Sequence, residues 1–393
     1  NMKIVHIIIN CAYIEGAGYQ ENLLPKFHKL MGLDVTIIAA YNDWKHTLQN
    51  ERKEYVNSND IRTILLKKNN DLKLLNLFRP LTQGLYQELI SIQPDIIFVH
   101  GGAIFDNLAV VKYKKRYPEV KVYVDQHGDY YNTPLNAGLK SKILKFIHRY
   151  PTRKLYDICN VYWGVTPWRV QYLNDVYGLP ENKVKLLVMG GDDTKIDFIH
   201  RNEIWHKIRK EYGIKETEFL IITGGKIDRT KNFHRLIRAT KGINNLKLMI
   251  FGKPTDDFKE EFNALINSSL HVVNLGWIDS SIVYDYFLAS DLVVFPGTHS
   301  VLWEQAAACG LPMVVKRWTG MQHIDIGGNC HFLDKCDEQE IKDKINKIIN
   351  TPSLYEKMKD VARNRGTQTF AYSTIARQSI EMELESCYDK NKC

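Results

Sequence analysis

The sequence predicts an α/β protein made of two Rossmann-like, doubly wound domains that face each other across a cleft. Three observations lead there. Short apolar runs alternate with helical patterns almost from end to end, which is the pattern of parallel sheets sandwiched between helices. The rhythm runs through seven strands, stops, and restarts. Between the two series stands Gly190-Gly191-Asp192-Asp193, followed by a charged helical stretch at 203–211, which places a hinge near the middle of the 393-residue chain.

The first series of expected strands covers 3–10, 34–40, 61–66, 95–100, 120–125, 161–166 and 185–189. The second covers 219–223, 246–251, 271–275, 291–295, 312–315 and 331–333. Each is a short run bounded by turn residues, as buried parallel strands are. Two helices in succession, 337–349 and 353–363, break the alternation, and a last one at 372–385 is expected to cross back and brace the first domain. The expected domains are therefore 2–192, 193–371 and a returning C-terminal helix, 372–393. Ligands of such folds bind outside the carboxyl ends of the strands, so function is sought in the loops after strands.

Composition agrees with a globular protein, with 44% hydrophobic and 25% charged residues. No apolar run reaches the roughly 18 to 20 residues of a membrane-spanning helix. Asn1 ahead of Met2 reads as an expression remnant, and no secretory segment follows, so a cytoplasmic location is expected. The seven cysteines form no C-x-x-C pair or regular framework, which favours a reducing compartment and no zinc site. Cys330 and Cys336, with His331 between them, read as loop residues and not ligands.

The net charge is +8, and the stretch from Lys112 to Lys154 holds eleven Lys or Arg against Glu119, Asp125 and Asp129. No nucleic-acid recognition module is legible there. Leu139, Ile143, Phe146 and Ile147 fall at helical spacing among lysines, which fits either a core-facing helix with a solvated basic back or an amphipathic helix lying on an anionic membrane.

Four segments carry candidate chemistry. Gly16-Ala17-Gly18, at a strand-to-helix turn, lets backbone N–H groups approach an anion, although its spacing is not the dinucleotide fingerprint. His127, before Gly128 at a strand's carboxyl end, presents an imidazole from a post-strand loop. Gly225-Lys226 and Lys231 can converge on one dianionic group, a diphosphate clamp that needs no metal. Glu304, in the first turn of a small-residue helix, offers a carboxylate that could accept both hydroxyls of a ribose; alone it would read as an ordinary first-turn acid.

Taken together these segments resemble the retaining nucleotide-sugar glycosyltransferases of the GT-B fold, family 4, and in particular their bacterial surface-polysaccharide members. The resemblance is carried by Gly225-Lys226 with Lys231, by Gly252, by Gly276-Trp277, by residues 284–291 (YDYFLASD) and by Trp303-Glu304-Gln305-Ala306 through Pro312. In the first half it rests on Gly16 to Gly18, His127, Val165-Thr166 and Tyr177-Gly178-Leu179-Pro180. It implies that Lys231 and Lys226 hold the diphosphate, with Lys226 standing where the family has arginine. It also implies that Glu304 binds the ribose, that Trp277 lies beside the base, and that the backbone at Ser300, Val301 and Leu302 meets diphosphate or sugar. His127 would then lie near the donor sugar, and Gly18 would face donor phosphate and acceptor.

One departure stands out. The family's first glutamate, eight positions before the second, is Pro296 here, in a segment that reads as shortened; His299 or Thr298 could substitute for it. The implied activity is metal-independent, retaining transfer from a UDP- or GDP-linked sugar to a hydroxyl acceptor, lipid-linked acceptors included, with no cofactor beyond that co-substrate. The protein would be cytoplasmic, with peripheral contact on the inner face of the membrane. The rival readings are a nucleotide-sugar 2-epimerase of the same architecture and a non-catalytic sugar-nucleotide binding protein.

Overall fold

The computed structural model describes residues 1–69, 82–128, 130 and 138–382, with backbone only at 138–141 and 144. The chain divides into two compact units, Asn1–Val188 with Ile375–Cys393, and Met189–Thr374.

In the first unit the main strands are β1 (Lys3–Ile8), β2 (Asp34–Ala39), β3 (Lys53–Val56) and β4 (Arg62–Leu65). After a short ribbon of β5 (Lys67–Lys68) and β6 (Thr82–Gln83) come β7 (Ile96–His100), β8 (Lys121–Gln126), β9 (Val161–Gly164) and β10 (Val184–Leu186). They form one sheet in the order β10-β9-β8-β7-β1-β2-β4-β3, parallel except where β3 runs antiparallel to β4. Helices α1 (Gln20–Leu30), α2 (Leu85–Ile92), α3 (Leu108–Arg116), α4 (Gly138–Ile158) and α5 (Pro167–Asp175) alternate with these strands. The central strands are buried on both faces, so they read as continuous apolar runs. β3 is different: Lys53, Glu54 and Val56 are exposed, and Glu54 takes ion pairs from Arg52 and Arg62. A charged edge strand of this kind discourages pairing with another sheet, and it has no apolar run to announce it.

The second unit begins with α6 (Arg201–Glu211) and holds β11 (Phe219–Gly224), α7 (Phe233–Thr240), β12 (Leu246–Phe251), α8 (Lys259–Asn267), β13 (Val272–Gly276) and α9 (Val283–Leu288). Then come β14 (Leu292–Phe295), α10 (Leu302–Ala308), β15 (Met313–Lys316), β16 (Cys330–Leu333), α11 (Glu338–Ile349), α12 (Pro352–Val361) and the short α13 (Thr367–Thr369). The sheet is wholly parallel, in the order β13-β12-β11-β14-β15-β16. Its strand order reverses between β11 and β14, which makes the loops after those two strands the walls of the binding crevice of such a fold.

Asp291, last residue of the 284–291 segment, has a structural task. Its carboxylate accepts from the buried Arg209 Nη2 at 2.6 Å and from Leu220 N at 2.7 Å, tying α6 to the start of β11. Cys330, expected in a loop, is on β16, and both it and Cys336 are buried free thiols in the core. The last helix, α14 (Tyr372–Ser379), leaves the second unit, and from Ile375 onward the chain belongs to the first. There His28 lies 2.9 Å from the Ala376 carbonyl, and Trp163 Nε1 donates to Ser379 O at 3.0 Å. The expected end of this helix through Glu385, together with Cys387 and Cys393, lies outside the described residues, as does Asp129. Among the described residues no helix is long and apolar enough to cross a membrane.

Candidate active site

β11 delivers the chain to Gly224 and Gly225, and β12 delivers it to Gly252. Gly252 has φ +127°, and a Cβ there would lie 1.8 Å from the Gly225 carbonyl oxygen, so only glycine lets these two backbones meet. The loop then turns at Arg229–Lys231, capped by Asp228, whose Oδ1 accepts from Thr230 N at 2.9 Å.

The loop after β14 is joined to this turn. Lys231 Nζ donates to Thr298 O at 2.9 Å, Asn232 Nδ2 to Pro296 O at 2.9 Å, and Thr298 N to Thr230 O at 3.3 Å. Trp318 Nε1 closes the far side by donating to Gly297 O at 3.0 Å. The two lysines end in different environments. Lys231 is half-buried, and burial draws its ammonium below the usual lysine range. Lys226 has a side chain 71% exposed, with Asp228 3.9 Å away. An ammonium has three donors; Lys231 commits one to Thr298 and keeps two for a ligand. Leu302 packs over Gly225, and Ser300, Val301 and Leu302 are half-buried at the start of α10.

Glu304 on α10 is fully buried. Its Oε1 accepts from His299 Nε2 at 2.9 Å and from His323 Nε2 at 2.9 Å, and Oε2 lies 3.1 Å from His299 Nε2. Burial works against the charge, but the two imidazoles outweigh it and hold the carboxyl at about 2. The carboxylate expected to be open to a ribose is thus held by two histidines, His299 from the loop after β14 and His323 from the loop after β15. The ligand atoms of His299, Glu304 and His323 lie within 4.8 Å of one another, close enough to hold a divalent ion. His323 Nδ1 is buried without a hydrogen-bond partner.

Trp277 stands on the loop after β13, 72% exposed. In the first unit, His127 follows β8 and its Nε2 donates to the buried Asp125 Oδ2 at 3.3 Å. Gln20, at the start of α1, donates to the same oxygen at 2.8 Å. Gly18 is exposed just before that helix, with open space around its Cα.

The structure therefore gathers Gly225, Lys231, His299, Ser300, Val301, Leu302 and Glu304 at the switch point of the second sheet, with Lys226 on the rim. His127 and Gly18 belong to the loops of the first sheet. Sequence reasoning missed His323 and Asp125. His323 stands in the loop after β15, so the positional criterion that selected His127 would have found it; Asp125 sits inside an apolar strand, where nothing distinguishes it.

Comparison with known proteins agrees with this geometry. Residues 206–365 match the family model described as Glycosyl transferases group 1. The second unit carries a glycosyltransferase group 1 domain. The chain is 23% identical over 259 residues, 63% of its length, to an uncharacterized glycosyltransferase of Methanocaldococcus jannaschii. It is 28% identical over 226 residues, 53% of its length, to the capsular polysaccharide biosynthesis glycosyltransferase CapM of Staphylococcus aureus. It spans 65% and 56% of the lengths of these relatives. Among solved structures, Anabaena HepE in complex with UDP superposes with a TM-score of 0.69 at 16% identity, covering 97% of this chain and 99% of that one. The Rossmann-like parallel sheets are those of GT-B glycosyltransferases.

Proposed function

We propose that this chain moves a sugar from a nucleotide-diphosphate donor to a hydroxyl acceptor, with retained anomeric configuration and without a metal ion, in the synthesis of a surface polysaccharide or glycolipid. The observation that carries the reading is the half-buried Lys231 ammonium, fixed by the Thr298 carbonyl at the switch point of the second sheet. The names of the relatives support it: one acts in capsular polysaccharide biosynthesis, and a structural neighbour was solved with UDP.

In this reading the acceptor oxygen bonds to the anomeric carbon as the bond to the diphosphate oxygen breaks, and the acceptor proton passes to that leaving oxygen on the same face. Lys231, with Lys226 and the backbone at Ser300–Leu302, neutralises the charge that develops on the diphosphate. His127 and the glycine turn at Gly18, in loops of the first sheet, are the first unit's candidates for contact with sugar, phosphate and acceptor. Trp277 lies beside the base. Glu304 takes the ribose hydroxyls when His299 swings from the carboxylate toward the donor.

Isothermal calorimetry with UDP, GDP and ADP, repeated with Glu304→Ala, tests the reading. One nucleotide is expected to bind in the micromolar range and to lose at least about tenfold on substitution; equal affinities would remove the ribose role. Turnover is expected to survive EDTA. Loss of turnover restored by a divalent ion would instead assign His299, Glu304 and His323 to that ion.

The acceptor side involves a membrane in this proposal. On α4, Ile143 (46% exposed), Phe146 (73%) and Tyr150 (45%) face solvent at helical spacing, so a core-facing role fails for Ile143 and Phe146. Leu139 and Lys140 have side chains outside those described. Lys142, exposed, and Lys145 stand between the apolar residues, the pattern that suits an anionic lipid surface. Sedimentation with anionic vesicles should retain the protein and neutral vesicles should not, and Phe146→Glu should abolish the difference; no preference for anionic lipid ends the proposal.

A further inference from the structure

Behind His127 runs an unbroken file of buried polar groups that the proposed transfer does not use. Asp125 Oδ2 lies 3.2 Å from His100 Nδ1; His100 Nε2 is 2.9 Å from His6 Nδ1; His6 Nε2 is 2.9 Å from His28 Nδ1. His28 Nε2 ends the file 2.9 Å from the Ala376 carbonyl oxygen and 3.0 Å from Ser379 Oγ. His6, His28, His100 and Asp125 are all buried to within 2% of fully. His6 stacks on His28 and on His100 with ring centroids 5.1 and 5.2 Å apart. β1, β7 and β8 are neighbours in the sheet, which is what brings His6, His100 and Asp125 into one row.

The hydrogens along this file can be assigned from its far end. A carbonyl oxygen only accepts, so His28 Nε2 carries a hydrogen. Ser379 directs its own hydroxyl to the same carbonyl at 2.7 Å and therefore also accepts from His28. A neutral imidazole has one N–H. His28 must then accept at Nδ1 from His6 Nε2, and His6 must accept at Nδ1 from His100 Nε2. The single hydrogen of a neutral His100 is thereby used, and its Nδ1 lone pair would face a carboxylate oxygen. That junction closes only with one more proton.

We infer that His100 holds this proton as an imidazolium paired with Asp125, so that Asp125 divides its charge between His100 and His127 and acts as a positioning residue for His127. The carboxylate form of Asp125 suits its surroundings, since it also accepts from Gln20 Nε2 at 2.8 Å and from Gly101 N at 3.2 Å. Burial opposes that charge, yet His100 and His127 bring the carboxyl well below its usual range. Burial leaves His6 and His28 neutral, with His28 pushed down to about 4.

Around His127, burial disfavours the charged ring, Asp125 and Glu21 favour it and Arg169 opposes it, with a net upward shift. In the proposed arrangement an Asp125 shared with the His100 imidazolium draws His127 upward less than an undivided carboxylate would. With Nε2 committed to Asp125, Nδ1 is the atom through which His127 acts on anything else. The proton arrangement stands for any substrate; only its use in transfer rests on the function proposed above.

Nitrogen-15 NMR of the full chain without ligand, labelled at the histidine rings, decides the arrangement between about pH 6 and 8. One exchange-protected ring with both nitrogens protonated is expected throughout, beside two protected rings in the single Nε2–H form. The absence of a protected, doubly protonated ring, or a bare Nε2 on His28, overturns the inference. His100→Gln keeps a donor toward Asp125 and removes the charge, so the His127 midpoint should rise by about one pH unit; an unmoved midpoint in the folded variant overturns the division of charge. Should that variant fail to fold, the unsubstituted protein's spectrum decides alone.

Discussion

Replacing Lys231 by alanine is expected to lower turnover about 100- to 1,000-fold at saturating donor while leaving the fold intact. The magnitude is that of removing one preorganised donor from a site where negative charge develops. Two features put Lys231 in that class. Its ammonium is half-buried, so its field is less screened than that of a surface charge, and the Thr298 carbonyl at 2.9 Å fixes its position before a ligand arrives. Lys226 lacks both, being 71% exposed, so Lys226→Ala should cost about tenfold or less. Lys231→Arg keeps the charge but must place a planar fork where a compact ammonium fits, and is expected to recover only part of the loss. The substituted protein loses one hydrogen bond from a loop, worth about 1 kcal/mol, so its melting should change little. Wild-type turnover in Lys231→Ala would remove the diphosphate clamp from the proposal.

The division of labour between the lysines shows what the sequence could and could not convey. Each strand expected from the apolar runs has a counterpart, and the unit boundary falls between Val188 and Met189, just before the expected hinge at Gly190. Runs of valine, isoleucine and leucine report burial on both faces directly. β3 escaped because it pairs with β4 through the backbone and carries exposed charges, Lys53 and Glu54 beside Arg52, that look like any solvated stretch. The glycine-rich exit from β11 was legible because turn chemistry is local. The His299–Glu304–His323 cluster was not, because it depends on how far the loop after β14 folds back and on a third residue 19 positions beyond Glu304. His6 and His100 were harder still: each is one polar residue in an apolar strand, and only the neighbouring of β1 and β7, with α1 supplying His28, turns them into a file.

Gly297→Ala is expected to damage both stability and turnover, and it isolates the joining of the two loops from the chemistry of the lysine. A Cβ at this position would lie 2.2 Å from Thr230 O, 2.4 Å from Lys231 Cα and 2.6 Å from Lys231 C. All three are backbone atoms, so no side-chain rotation relieves the clash, and one loop must move. Movement breaks the bonds from Lys231 to Thr298 and from Trp318 to Gly297. Overpacking of this kind costs about 1–3 kcal/mol, read as a lower melting temperature or denaturant midpoint. A displacement of the ammonium by about 1 Å is enough to cost about 100-fold in rate, so the variant should fall as far as Lys231→Ala even though the lysine is present. Gly18 supplies the contrast: its Cβ would meet nothing within 4 Å and its backbone is not left-handed, so Gly18→Ala should leave stability within about 0.5 kcal/mol of the parent. If Gly297→Ala melted and turned over like the parent, the two loops would not be locked together as described, and the position of Lys231 would owe nothing to the backbone beneath it.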